Sequence, residues 1–202
     1  NASTIYSRGE TYYKEGKYQE AINEYDKAIL MEPGNAEFYN SRGVTYYQLK
    51  KYYYAISDFI NAIRLKSNHT LAYYNLAHSK YNLGDYDAAL EDIETTILYN
   101  PDYCSALNLR GLIYNQKEDT ENAFSSFQEA SKCDPEVPLY FYNMAYIKYT
   151  DGDYEHAVSC FTKSLEKGYS SADIFSYLGN SLDQLEEYND AVEAHTKYIS
   201  AY

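Results

Sequence analysis

The chain has 202 residues, a formal net charge of −13, and 28 tyrosines with no tryptophan. Such a field repels a phosphate backbone and an anionic lipid surface, which makes nucleic acid a poor candidate partner and disfavours docking on anionic membranes. No apolar stretch approaches the ~18 residues of a membrane span, and the opening residues carry no signal-peptide pattern.

Along the chain the sequence repeats every 34 residues: Ala21, Ala55, Ala89, Ala123, Ala157 and Ala191 are evenly spaced. Ahead of each, in step, comes a small residue: Gly9, Gly43, Ala77, Gly111, Ala145 and Gly179. A period of this size marks stacked supersecondary units. In the first copy (2–35), Ile5, Tyr12, Tyr18, Ala21, Ile22, Tyr25, Ala28 and Ile29 recur at helical steps. The pattern breaks at Glu15-Gly16-Lys17, where glycine suits a helix C-terminus, and again at Glu32-Pro33-Gly34-Asn35. The second copy (36–69) closes at Ser67-Asn68. The third (70–103) has Gly84, then Asp85 as a helix cap, then Asn100-Pro101-Asp102. Copy four (104–137) has Thr120 where five copies place an aromatic (Tyr18, Tyr52, Tyr86, Tyr154, Tyr188), and it ends at Cys133-Asp134-Pro135. Copy five (138–171) repeats the Gly152-Asp153 turn and ends at Gly168-Tyr169-Ser170; copy six (172–202) is about three residues short. Each copy therefore reads helix A, turn, helix B, turn. The expectation is an all-α array of twelve antiparallel helices, with no strand and no linker. Because the chain starts and stops inside the repeat, it reads as a piece of a longer protein.

This pattern resembles the tetratricopeptide repeat family across nearly the whole chain. That family asks for a bulky residue at motif position 4, here Ile5, Tyr39, Tyr73, Leu107, Phe141 and Phe175. It asks for an aromatic at position 24, here Tyr25, Phe59, Ile93, Phe127, Phe161 and His195. Small residues at positions 8, 20 and 27 let the two helices approach, and the bulky ones fill the wedge beside them. The departures gather in copy six, with His195 and Tyr198 at packing positions. The resemblance implies a right-handed α-solenoid of six repeats over 1–202. Pentatricopeptide repeats, which read RNA, are disfavoured by the period and the charge.

By the same resemblance, the A helices line a concave groove and the B helices the convex face. The first fourteen positions of the copies carry seven Lys/Arg against six Asp/Glu, and the remainder ten against twenty-four. The acidity thus belongs to the outer helices and turns. Groove positions implied by the family hold Tyr6, Asn40, Tyr74, Asn108 and Tyr142; Tyr13, Tyr47, Tyr81 and Tyr149; and His78 and Tyr146. Tyrosine offers contact area at low entropic cost, and amides can hydrogen-bond an extended backbone. The implied function is a scaffold or adaptor holding a protein or peptide. For each tyrosine the competing reading is packing within the array. The carboxylate clamp that holds the acidic tail of heat-shock chaperones is absent: Tyr6 and Glu10 stand where it needs Lys and Asn. Arg8, Arg42 and Arg110 share one motif position and read as buried stems tied to a neighbouring helix.

Catalysis finds no foothold. The four histidines (His69, His78, His156, His195) form no metal-binding pair, no glycine-rich phosphate loop exists, and no cofactor or metal is expected. The odd number of cysteines (Cys104, Cys133, Cys160) reads as free thiols in a reducing compartment, hence a cytoplasmic chain. Two alternatives stand beside the scaffold: a recruiting arm of an enzyme whose catalytic domain lies outside this chain, and self-association through the array ends.

Overall fold

The computed structural model describes residues 1–200, and the described residues form twelve α-helices. They fall into two compact units. The first, Asn1–Pro101, holds α1 (Ala2–Lys14), α2 (Tyr18–Met31), α3 (Ala36–Gln48), α4 (Tyr52–Leu65), α5 (Thr70–Asn82) and α6 (Tyr86–Tyr99). The second, starting at Asp102, holds α7 (Cys104–Gln116), α8 (Thr120–Cys133), α9 (Pro138–Thr150), α10 (Tyr154–Glu166), α11 (Ala172–Gln184) and α12 (Tyr188–Ser200). In each unit, helices pack as hairpins (α1 with α2, α3 with α4, and so on), and each second helix also touches the hairpin that follows it in its unit.

The small-residue column explains the close pairing. A Cβ on Gly9 would come within 2.7 Å of the Tyr25 ring, on Gly43 within 2.7 Å of Phe59, and on Gly111 within 2.5 Å of Phe127. Helix A is thereby pressed flat against the aromatic of helix B. Ala21, Ala55, Ala89, Ala123, Ala157 and Ala191 are fully buried at the same interfaces.

The tight turns need one residue in the left-handed region. Gly16, Gly84 and Gly152 supply it with φ of 73°, 81° and 78°. Lys50, Glu118 and Glu186 adopt it in the other three hairpins, at φ of 57°, 60° and 63°, without glycine's freedom. Asp85, Asp119 and Asp153 then cap the second helix, accepting from the backbone N–H of Ala88, Asn122 and His156.

At the same turn end, an aromatic pair fastens most hairpins. Tyr13 meets Tyr18 at 5.6 Å, Tyr47 meets Tyr52 at 5.4 Å, Tyr81 meets Tyr86 at 5.7 Å, and Tyr149 meets Tyr154 at 6.1 Å between centroids. The α7–α8 hairpin has Asn115 and Thr120 at these places, so no ring pair can form there.

The cysteine expectation requires correction. Cys104 and Cys133 are joined in a disulfide, with Cα atoms 5.5 Å apart. Cys104 is the first residue of α7 and Cys133 the last of α8, so the bond closes the open end of that hairpin. A separation of 29 residues says nothing until the chain is folded back on itself. Only Cys160 is a free thiol, half-buried, its pKa pushed up by burial. Free thiols were the ground for a cytoplasmic chain, and two of the three are gone.

Candidate functional site

The arginine column ties helices together. In the first unit, Arg42 donates from Nε and Nη2 to Asp58 at 2.8 and 2.6 Å, and from Nη1 to Asp26 at 2.6 Å. It therefore links α3 to both α2 and α4. Arg8 is paired with Glu24, and Arg110 donates to Ser126 at 3.0 Å and Glu129 at 2.8 Å. These guanidiniums are spent on neighbouring helices.

On the inner helices of the first unit the candidate residues are largely spent on each other. The Tyr6 hydroxyl pairs with Ser41 Oγ at 2.9 Å. Asn75 donates to Asn40 at 3.3 Å, and Asn40 itself is buried. The Tyr47 hydroxyl pairs with His78 Nε2 at 3.1 Å and accepts from Asn82 at 3.1 Å. The His78 ring sits among Tyr47, Tyr74 and Tyr81, with centroids 5.1, 5.9 and 6.4 Å away. Burial holds the His78 imidazole below its ordinary pKa and raises the phenols of Tyr6, Tyr13 and Tyr47. What remains open near Tyr13 is a crevice of about 70 Å³, lined also by Glu10, Tyr25, Ser41 and Val44.

The second unit is arranged differently. Asn143 donates to Asn108 at 2.8 Å, and Asn180 reaches the Tyr149 hydroxyl at 3.5 Å. Between α7, α8, α9 and α11 lies a cavity of about 280 Å³. Its apolar lining is Leu112, Phe127 and Ile147; its polar lining is Asn115, Asn143, Tyr142, Tyr146 and Tyr177. Tyr142 is stacked on Tyr169 at 4.6 Å, and Tyr146 meets Tyr177 edge-on at 5.4 Å. These contacts fix the rings by their faces. Among the described residues no hydrogen bond takes up the Asn115 amide or the Tyr142, Tyr146 and Tyr177 hydroxyls, so their donors and acceptors are available to a ligand. Burial raises the Tyr142 phenol, which stays a neutral donor.

Of the candidates, only Tyr142 and Tyr146 line this cavity; Asn108 and Tyr149 stand beside it in other contacts. Tyr177 and Phe127 also line it; sequence reasoning did not place them in the groove, and read Phe127 as a packing residue. The sequence did carry a signal for the place: Asn115 occupies a position that is tyrosine in Tyr13, Tyr47, Tyr81 and Tyr149. The smaller side chain leaves the gap.

Comparison with known proteins agrees with this geometry. A TPR repeat model matches residues 9–50, and two tetratricopeptide repeat models match residues 74–138 and residues 36–69 with 139–166. The chain belongs to the tetratricopeptide repeat family. Among solved structures it is similar to MamA 41-end from Desulfovibrio magneticus RS-1, at 24% identity and TM-score 0.77, covering 82% of this chain and 94% of that one. Pseudomonas aeruginosa pilF superposes with TM-score 0.88 at 16% identity, over 100% of this chain and 91% of that one. YrrB, described as a TPR protein with an unusual peptide-binding site, gives TM-score 0.72 at 19% identity, over 88% and 91%. At these identities the likeness is one of fold. A search of curated proteins found no match.

As expected for a tetratricopeptide array, the chain is built from helices alone among the described residues. Within those residues no cluster of three metal-ligating side chains occurs, and no helix is long and apolar enough to cross a membrane.

Proposed function

We propose that this tetratricopeptide array holds a partner protein through an extended segment on its inner helices, and that the cavity of the second unit takes the anchoring side chain. The observation that carries the reading is the combination found there: an apolar floor, fixed aromatic walls, and amide and phenol groups left without partners. Ligand sites have this composition, concave and mostly apolar with a few placed polar groups. The size suits one bulky apolar side chain. The Asn115 amide and the carbonyl oxygen of Asn143, whose amide nitrogen donates to Asn108, can pair with the backbone on either side of it.

No Lys or Arg lines the cavity, so an acidic chaperone tail is a poor fit. The chain is read as a holder rather than a catalyst: no histidine, cysteine or carboxylate lines the cavity, and burial keeps the Tyr142 phenol protonated. The unbroken 34-residue period across Pro101 supports reading 1–202 as one array of six repeats.

The test compares proteins captured from the native lysate by the wild-type chain and by Tyr146→Ala/Asn115→Ala, with Tyr13→Ala as a control in the other unit. A partner lost only with the double variant, at unchanged melting temperature, supports the cavity. Retention of the same partners by all three would move binding to another surface.

A further inference from the structure

Four of the six hairpins are fastened at the turn by an aromatic pair, and α7–α8 is not. That hairpin supplies Leu112, Asn115 and Phe127 to the cavity. It is also the hairpin that carries the disulfide, at the end opposite the missing pair. The neighbouring α9–α10 hairpin holds its corresponding end without a covalent bond, through Ser164 Oγ donating to the Pro138 carbonyl at 2.8 Å. The α11–α12 hairpin, with Asp183 and Tyr188 at these places, lacks the pair as well; of the two, α7–α8 is the one that gives both of its helices to this cavity and carries the covalent link.

We propose that the Cys104–Cys133 disulfide is a redox-responsive clasp that keeps the α7–α8 wall of the cavity in place, and that the chain works where this bond persists. Oxidised, the hairpin is closed at both ends. On reduction a dithiol gives up two electrons and two protons: the S–S bond breaks, two S–H bonds form, and the dithiol leaves as its own disulfide. The hairpin then keeps its Gly111–Phe127 contact but loses its fastening at the helix ends. Such bonds survive in oxidising compartments and are opened by cellular dithiols elsewhere. The effect on partner binding rests on the cavity reading above; the effect on the hairpin does not.

Hydrogen exchange separates the two. Amides of α7 and α8 are followed in the oxidised chain, in the chain reduced with dithiothreitol, and in Cys104→Ser/Cys133→Ser. Exchange at least tenfold faster in both reduced forms, with α1–α6 unchanged, is the expected result. Adding Asn115→Tyr and Thr120→Tyr to the serine variant rebuilds the aromatic pair and should slow exchange again. Equal exchange in oxidised and reduced chains overturns the clasp. So does alkylation of both Cys104 and Cys133, without prior reduction, in protein isolated from its native source. If exchange responds as expected but the captured partners do not change on reduction, the clasp stands and the cavity reading fails.

Discussion

The two units use one repeat differently on their inner helices. In the first, Tyr6, Asn40, Tyr47 and His78 are joined across successive hairpins, and the crevice beside Tyr13 is about 70 Å³. In the second, an asparagine in place of a tyrosine leaves about 280 Å³ and unspent polar groups. The same residue types thus serve cohesion in one unit and an open surface in the other. A tyrosine column is a supply of groups; whether they bind a ligand depends on whether the neighbouring repeat has already taken them.

The means of holding the units together differ as well. The first relies on Arg42 between two carboxylates, one of which, Asp58, is 3% exposed. Removing Arg42 leaves that carboxyl buried without its partner. Arg42→Ala is therefore expected to cost about 3–5 kcal/mol, the range seen for broken buried pairs. Denaturant unfolding with hydrogen exchange should place the loss in α2–α4. A loss no larger in Arg42→Ala than in Arg42→Ala/Asp58→Ala would show that the buried charge is not the cause.

Reduction of the disulfide is the matching insult to the second unit. Closing a loop of this length constrains the unfolded chain by about 3–4 kcal/mol in the chain-entropy account. Thermal unfolding with and without reductant should show the second unit melting earlier and the first unmoved. A shift shared equally by both units would dissolve the distinction between them.

Acid should act on the first unit. Desolvation lowers the imidazole pKa of His78 and, against the pull of Glu37, that of His69. Above the ordinary histidine pKa, near 6.5, both states are neutral and nothing is lost. As pH falls below that value the unfolded chain takes the proton first. Stability then declines by at most about 1.4 kcal/mol per pH unit per histidine, until the folded pKa is passed. Melting between pH 7.5 and 5.5, for the wild type and for His69→Asn/His78→Asn, checks this; the decline should be smaller in the double variant.

The smallest expected effect concerns a turn. Glu118 holds a left-handed conformation that glycine holds in three other hairpins. Glu118→Gly should stabilise the α7–α8 turn by up to about 1 kcal/mol, since the Cβ penalty is removed. Read by chemical denaturation, an unchanged or lower midpoint would mean that glycine's unfolded-state entropy outweighs the strain.

Sequence alone determined the helices, their order and the pairing within each copy. Small and bulky residues at fixed spacing can satisfy close helix contact in few other ways, and Gly9 against Tyr25 or Gly43 against Phe59 shows the fit. The aspartate caps at Asp85 and Asp153 were legible because a cap depends on its own turn. Legibility stopped where partners lie a repeat apart. That Tyr47 is spent on His78 while Tyr146 is not, that Tyr177 closes a cavity, and that Cys104 meets Cys133 were decided only by the tertiary structure. The reason is physical: a periodic pattern specifies which face a side chain belongs to, and only the stacking of one hairpin on the next fixes whether its polar end is satisfied or open.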